Sequence, residues 1–198
     1  MSMQPSQGTG KKTNYESRRN PVLTTTLTAL SSALVLVVTY FASVTLTPQG
    51  QVFDAGDIMI FITAFTFGPV VGGLAGGFGS GLSDFFHGYV YFAPFTAIIK
   101  GSEGLIAGYI SQRSLRGREV KLGWLAGSVV MVAGYFAAEY YFIGLVFGGA
   151  ALEGVFPYLD LPFNIVQVLA GGLIGIPISK SLKKALPPAF FRRTELSK

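Results

Sequence analysis

The sequence predicts an all-α integral membrane protein: six transmembrane helices with both termini cytoplasmic. Three observations predict it. Half of the 198 residues are hydrophobic and only 13% are charged, a balance found in polytopic membrane proteins rather than in soluble domains. Apolar runs of spanning order recur between short polar loops. The fifteen Lys and Arg residues, finally, fall into three clusters: Lys11, Lys12, Arg18 and Arg19; Arg113, Arg116, Arg118 and Lys121; and six in the C-terminal tail. Lys100 alone stands apart.

The elements follow in order. Residues 1–21 form a basic cytoplasmic segment. Residues 22–46 form a first helix that is kept, since a signal peptide has a shorter apolar core and a small-residue cleavage site. After the polar TPQGQVFDAGD come residues 58–67, a Gly68-Pro69 break and the glycine-rich residues 70–86. The break decides the topology. If it is a cytoplasmic turn there are six helices and every basic cluster lies inside; with one broken span there, the middle cluster is stranded outside. The cost is a second helix of ~16 Å against a hydrocarbon core of ~30 Å, which must tilt or begin upstream as irregular structure. Residues 95–110, 122–147 and 163–181 complete the set. Residues 22–182 are thus the membrane bundle and 183–198 a basic cytoplasmic tail. Seven of the ten acidic residues lie in outer loops or helices, so the outer half is acidic and aromatic.

The chain has no cysteine and a single histidine, His87. Disulfide frameworks and thiolate or multi-histidine metal sites are excluded, and no cofactor is expected. The net charge of +5 sits at the membrane rim, which argues against a nucleic-acid partner. His87 with Asp84 is too little for an intramembrane enzyme. GGFGSG lacks the spacing of a nucleotide-binding loop. Instead Gly72/Gly76, Gly73/Gly77 and Gly77/Gly81 are small-xxx-small pairs that let helices approach closely in lipid. Ala29 and Ala33, with Ser32 beside them, repeat a weaker form of that pattern on the first helix, where packing within the bundle is the simplest expectation.

Polar residues inside the apolar segments mark the candidate site. Lys100 and Glu103 share a helical face, and a charge at the membrane centre costs ~2.5–3.5 kcal/mol on the insertion scale. Such groups pair or face a polar cavity. They either fix helix register, with Asp84 as a second partner for Lys100, or touch ligand; the first role is the expectation for Lys100. Glu139 and Tyr140 on the fifth helix, Asn164 and Gln167 on the sixth, and Asp57, Tyr89 and Tyr91 at the outer rim complete an outward half-cavity. Aromatic faces there would stack a flat heterocycle, and amides and carboxylates would read its edge.

Residues 24–182 resemble the substrate-binding S components of energy-coupling factor (ECF) vitamin transporters. The resemblance is densest in FDAGDIMIFITAFTFGPVVGGLAGGFGSGLSDFFHGYVYFAPFTAIIKGSEGLIAGYI, which is similar to the G-D, F-G-P, G-G-x-G-S, D, G-Y, A-P-x-T and K-G-x-E-G signature of the group holding riboflavin and hydroxymethylpyrimidine S components. It implies a cell-membrane protein that binds a vitamin or vitamin precursor at its outer half and works with a transmembrane coupling protein and two cytoplasmic ATPases. It also implies that the small residues of the first helix, Ala29, Ser32 and Ala33, touch the coupling protein, and that the whole subunit topples during transport. The ligand itself does not carry over; an acidic outer half suits an aminopyrimidine at least as well as a flavin. The alternative is a scaffolding membrane protein without a ligand.

Overall fold

The computed structural model describes residues 21–45, 52–112, 117–143, 156–187 and 190. The expected N-terminal basic segment, Arg113, Arg116, Glu153 and most of the tail lie outside the described residues. Those described form a helical bundle: α1 Pro21–Phe41, α2 Gly56–Phe67, α3 Pro69–Phe86, α4 Ala93–Ser111, α5 Gly117–Ala137 and α6 Phe156–Ala185. A π-helical turn, Ala138–Ile143, continues α5. Pro21–Phe41, Arg118–Tyr141 and Tyr158–Ala185 are each long and apolar enough to cross a membrane, while Gly56–Phe67 is a shorter apolar helix.

Helix α1 buries Leu27, Ser31, Val35 and Thr39, a strict every-fourth-residue stripe that rests on α3. The Thr26 and Thr28 hydroxyls donate to the Val22 and Thr24 carbonyls, satisfying their polarity within the helix. The helix stops at Phe41, short of the expected residue 46, because the chain turns into β1 (Val44–Thr45), antiparallel to β2 (Val52–Phe53). This two-residue ladder is the irregular upstream structure that so short an α2 requires.

The break between α2 and α3 is a single residue. Gly68 has φ 95°, a conformation open to glycine at little cost, and Pro69 starts the next helix, where a missing N–H is harmless. A Cβ on Gly72 would fall 2.6 Å from Ala64 Cα, so the two helices form a tight antiparallel hairpin. The α3–α4 seam is equally close: a Cβ on Gly76 would lie 2.6 Å from the Lys100 carbonyl oxygen. The glycine pattern on α3 is therefore packing, as its spacing predicts.

Helix α2 sits at the centre. Phe61 and Phe65 stack with ring centroids 5.5 Å apart and, with Ala64 and Ala107, form a buried cluster against Val120, Trp124 and Ile176. A second cluster, Ile99, Met131, Ala138 and Val168, joins α4, α5 and α6. Helix α6 begins at Phe156 rather than residue 163, with Pro162 inside it. A proline there removes one intrahelical bond, from its own missing N–H to the Tyr158 carbonyl, without ending the helix.

The starts of α2, α4 and α6 and the finishes of α1, α3 and α5 share one end of the bundle. Asp54, Asp57, Asp84, Glu139 and Asp160 belong to that acidic end, and Arg118, Lys121, Lys180, Lys183 and Lys184 to the opposite, basic end.

Candidate functional site

Helix α2 brings Asp57 in its first turn, and α4 brings Lys100 two turns in. The two form an ion pair, 1% and 2% exposed. This corrects the expected pairing of Lys100 with Asp84 and Glu103. The ion pair joins α2 to α4, because the hairpin at Gly68 places the start of α2 beside Lys100. Asp84, at the end of α3, instead accepts a hydrogen bond from the Thr96 hydroxyl. Thr96 in turn accepts one from the Tyr135 hydroxyl at 3.1 Å, and the Lys100 ammonium lies 5.5 Å from the centre of the Tyr135 ring, in cation–π range. A polar chain thus ties α2, α3, α4 and α5 together around one buried cation.

Glu103, one turn deeper on α4, is fully buried, and neither carboxyl oxygen has a hydrogen-bond partner among the described residues. Asp57 Oδ2 is likewise without one.

The α5–α6 side carries a second cluster. Asn164 donates to Asp160 at 2.7 Å, and the Glu139 and Asp160 carboxyls lie close enough to act on one another electrostatically. The early start of α6 makes this possible, since Asp160 is helical and four residues before Asn164. Glu139 sits in the π-turn, whose wider coil carries its side chain toward α6; such turns recur at functional sites. Gln167 is buried one turn below Asn164. Asp57 packs against α6, where a Cβ on Gly171 would lie 3.1 Å from the Asp57 Cβ, so both clusters border the same helix.

The aromatic residues behave differently. Tyr91 is 75% exposed, and Tyr89 and Tyr140 are also exposed. Tyr140 stacks on Phe136 at the surface rather than walling the interior. The ring that does face the charged centre is that of Tyr135. His87 closes the α1–α3 edge, with Nε2 3.1 Å from Ser43 Oγ and its ring 4.3 Å from that of Tyr40. Reading the sequence alone places Thr96 one turn before Lys100 and Tyr135 one turn before Glu139 without assigning either a contact, and leaves Asp160, four residues before Asn164, out of the site.

Ala29 and Ala33 do not pack within the bundle. Both are exposed, with Ser32 half-buried beside them, because the buried stripe of α1 runs through Leu27 to Thr39. This corrects the expectation of intramolecular packing.

A helical membrane bundle with a charged interior confined to its acidic half defines a membrane protein built around a polar site. Over residues 19–184 the chain matches the family of ECF-type riboflavin transporter S components, and it belongs to that family. It is 40% identical over 154 residues to an uncharacterized gap 3'-region protein of Pyrococcus woesei, covering 78% of this chain and 97% of that one. It is 30% identical over 136 residues to the thiamine precursor transporter HmpT of Lactococcus lactis subsp. cremoris (strain MG1363), covering 68% of this chain and 72% of that protein. S components are substrate-binding membrane subunits that serve vitamin uptake together with an ECF module, and not a family of enzymes.

Proposed function

We propose that this S component captures a heterocyclic vitamin precursor of the thiamine/hydroxymethylpyrimidine type, in preference to riboflavin, at the outer half of a six-span bundle in the cell membrane. In this reading residues 22–182 form the bundle, and residues 1–21 and 183–198 lie in the cytoplasm with the basic end. The observation that carries it is the Glu139–Asp160–Asn164 cluster. Carboxyl and amide oxygens converge there with Glu139 Oε2 unpartnered among the described residues. An acceptor-rich wall fits a ring edge bearing amino or N–H donors better than the mixed edge of a flavin, whose carbonyl oxygens would meet other oxygens. Asp57, Asp84, Lys100, Glu103 and Gln167 line or support the same interior, and Tyr89, Tyr91 and Tyr140 stand at its rim.

The captured ligand is passed to a transmembrane coupling protein with two cytoplasmic ATPases. Helix α1 is the docking face, because Ala29, Ser32 and Ala33 leave a shallow track on which a partner helix can lie close.

Mass spectrometry and absorbance of the small molecule released from purified protein test the ligand. A colourless pyrimidine-containing extract supports the reading. A yellow, flavin-containing extract overturns the preference, and the absence of any bound or titratable vitamin below micromolar concentration overturns the function.

A further inference from the structure

We propose that Lys100 is a two-seat cation, and that Glu103 is its second seat: when ligand reaches the interior, the ammonium passes from Asp57 to Glu103 and leaves Asp57 free to accept from the ligand. The inference deepens the functional reading above and rests on it for the role of the ligand.

The first support is Glu103 itself. Buried polar groups are almost always hydrogen-bonded, and an unpaired one in an apolar interior is costly. Here a fully buried carboxyl has neither oxygen engaged among the described residues. Its place, three residues after Lys100 on the same helix, is within reach of the ammonium by side-chain rotation alone. A carboxyl accepts an ammonium hydrogen bond in either protonation state, so the exchange requires no particular charge on Glu103.

The second support is Asp57. One of its oxygens holds Lys100 while the other has no partner among the described residues. A Cβ on Gly171 would lie 3.1 Å from Asp57 Cβ, so this carboxylate packs directly against α6, the helix that carries Asp160 and Asn164. It also lies in the first turn of α2, where the helix N-terminus stabilises an anion that has lost its cation. The exchange leaves each group a partner: Lys100 keeps a carboxyl, as an ion pair when Glu103 is ionised and as a hydrogen bond when it is not, and Asp57 keeps the helix N-terminus and gains the ligand. Removing a partner from a buried ion pair with no such alternative is strongly destabilising.

Two measurements on the full-length protein test the exchange. The first is ligand-free thermal unfolding of wild type, Asp57→Asn, Glu103→Leu and the double variant. With two seats, Asp57→Asn loses a few degrees, Glu103→Leu little or none, and the double variant clearly more than their sum; additive losses overturn the exchange. The second is calorimetric titration with hydroxymethylpyrimidine and with riboflavin. Glu103→Leu is expected to weaken binding about tenfold or more, and Glu103→Leu/Lys100→Met to recover most of it, because no ammonium is left masking Asp57. A double variant as weak as Glu103→Leu overturns the exchange. If wild type binds neither probe the functional reading fails, and the unfolding cycle alone decides whether Glu103 seats Lys100.

Discussion

Trp124 on α5 donates its indole N–H to the main-chain carbonyl of Val168 on α6 at 2.8 Å. The contact crosses the two helices below the acidic cluster, and the ring lies against Gly172, where a Cβ would fall inside it. It joins α5 to α6 two or more turns toward the basic end from Glu139 and Asp160. A buried hydrogen bond of this kind contributes about 1 kcal/mol. Trp124→Phe is expected to lower the unfolding midpoint by several degrees while leaving ligand affinity within about threefold of wild type. Thermal unfolding in detergent with parallel titration checks both; a large loss of affinity would show that α5 and α6 are positioned by this bond.

The Tyr135 hydroxyl has a role separable from its ring. Tyr135→Phe keeps the surface above which Lys100 lies and removes only the donor to Thr96, which loosens the Thr96–Asp84 link. The expected result is ligand binding about two- to tenfold weaker, from the ~0.5–1.5 kcal/mol of one hydrogen bond, with little change in expression. Tyr135→Leu removes both functions and should weaken binding further. Equal effects from the two variants would mean that the ring alone matters.

Asn164 turns its side-chain N–H groups toward Asp160, so replacing it with leucine leaves that carboxyl without its donor inside the bundle. Asn164→Leu is expected to weaken ligand binding at least tenfold, since sites built on hydrogen bonds discriminate sharply when one is lost. Unchanged affinity would remove the α5–α6 cluster from the ligand site.

The α3–α4 seam gives a stability test. Gly76→Ala places a methyl 2.6 Å from the Lys100 carbonyl oxygen, and such overpacking costs about 1–3 kcal/mol. Gly88→Ala, where no atom lies within 4 Å of the new Cβ, meets only the strain of its positive φ. The first is expected to lower the unfolding midpoint more than the second. The reverse order would show that α3 and α4 part readily.

Docking on α1 is tested by function. Ala33→Trp fills the exposed track without touching the buried stripe, so ligand binding is expected to stay at the wild-type level while uptake in cells carrying the ECF module falls to background. Wild-type uptake would move the docking surface elsewhere.

Much of the fold was legible because membrane helices advertise themselves by length and apolarity, and because the basic clusters choose the turn over a broken span at Gly68-Pro69. The ends of helices were not. Val44 and Thr45 continue the apolar run of the first helix yet pair with β2, a choice made by tertiary contact. Pro162 reads as a stop signal but lies within α6, since the loss of one bond near a helix start is small against the packing of the remaining turns. The site was half legible for the same reason. Every buried charge is visible in the sequence, but which charge meets which depends on helix adjacency. Lys100 finds Asp57 forty-three residues away rather than Glu103 three residues away, which no local spacing reveals.

The shortness of α2 has a consequence for the shape of the protein. Its twelve residues rise ~18 Å from Gly68, about 12 Å less than the hydrocarbon thickness. In the six-span arrangement proposed above, that shortfall lies wholly on the outer side, over the central helix and ringed by its longer neighbours. The missing turns are replaced by the β1–β2 ladder, which leads directly into α2 and leaves Asp57 only 1% exposed. Lengthening α2 by one turn would therefore displace that ladder rather than fill empty space.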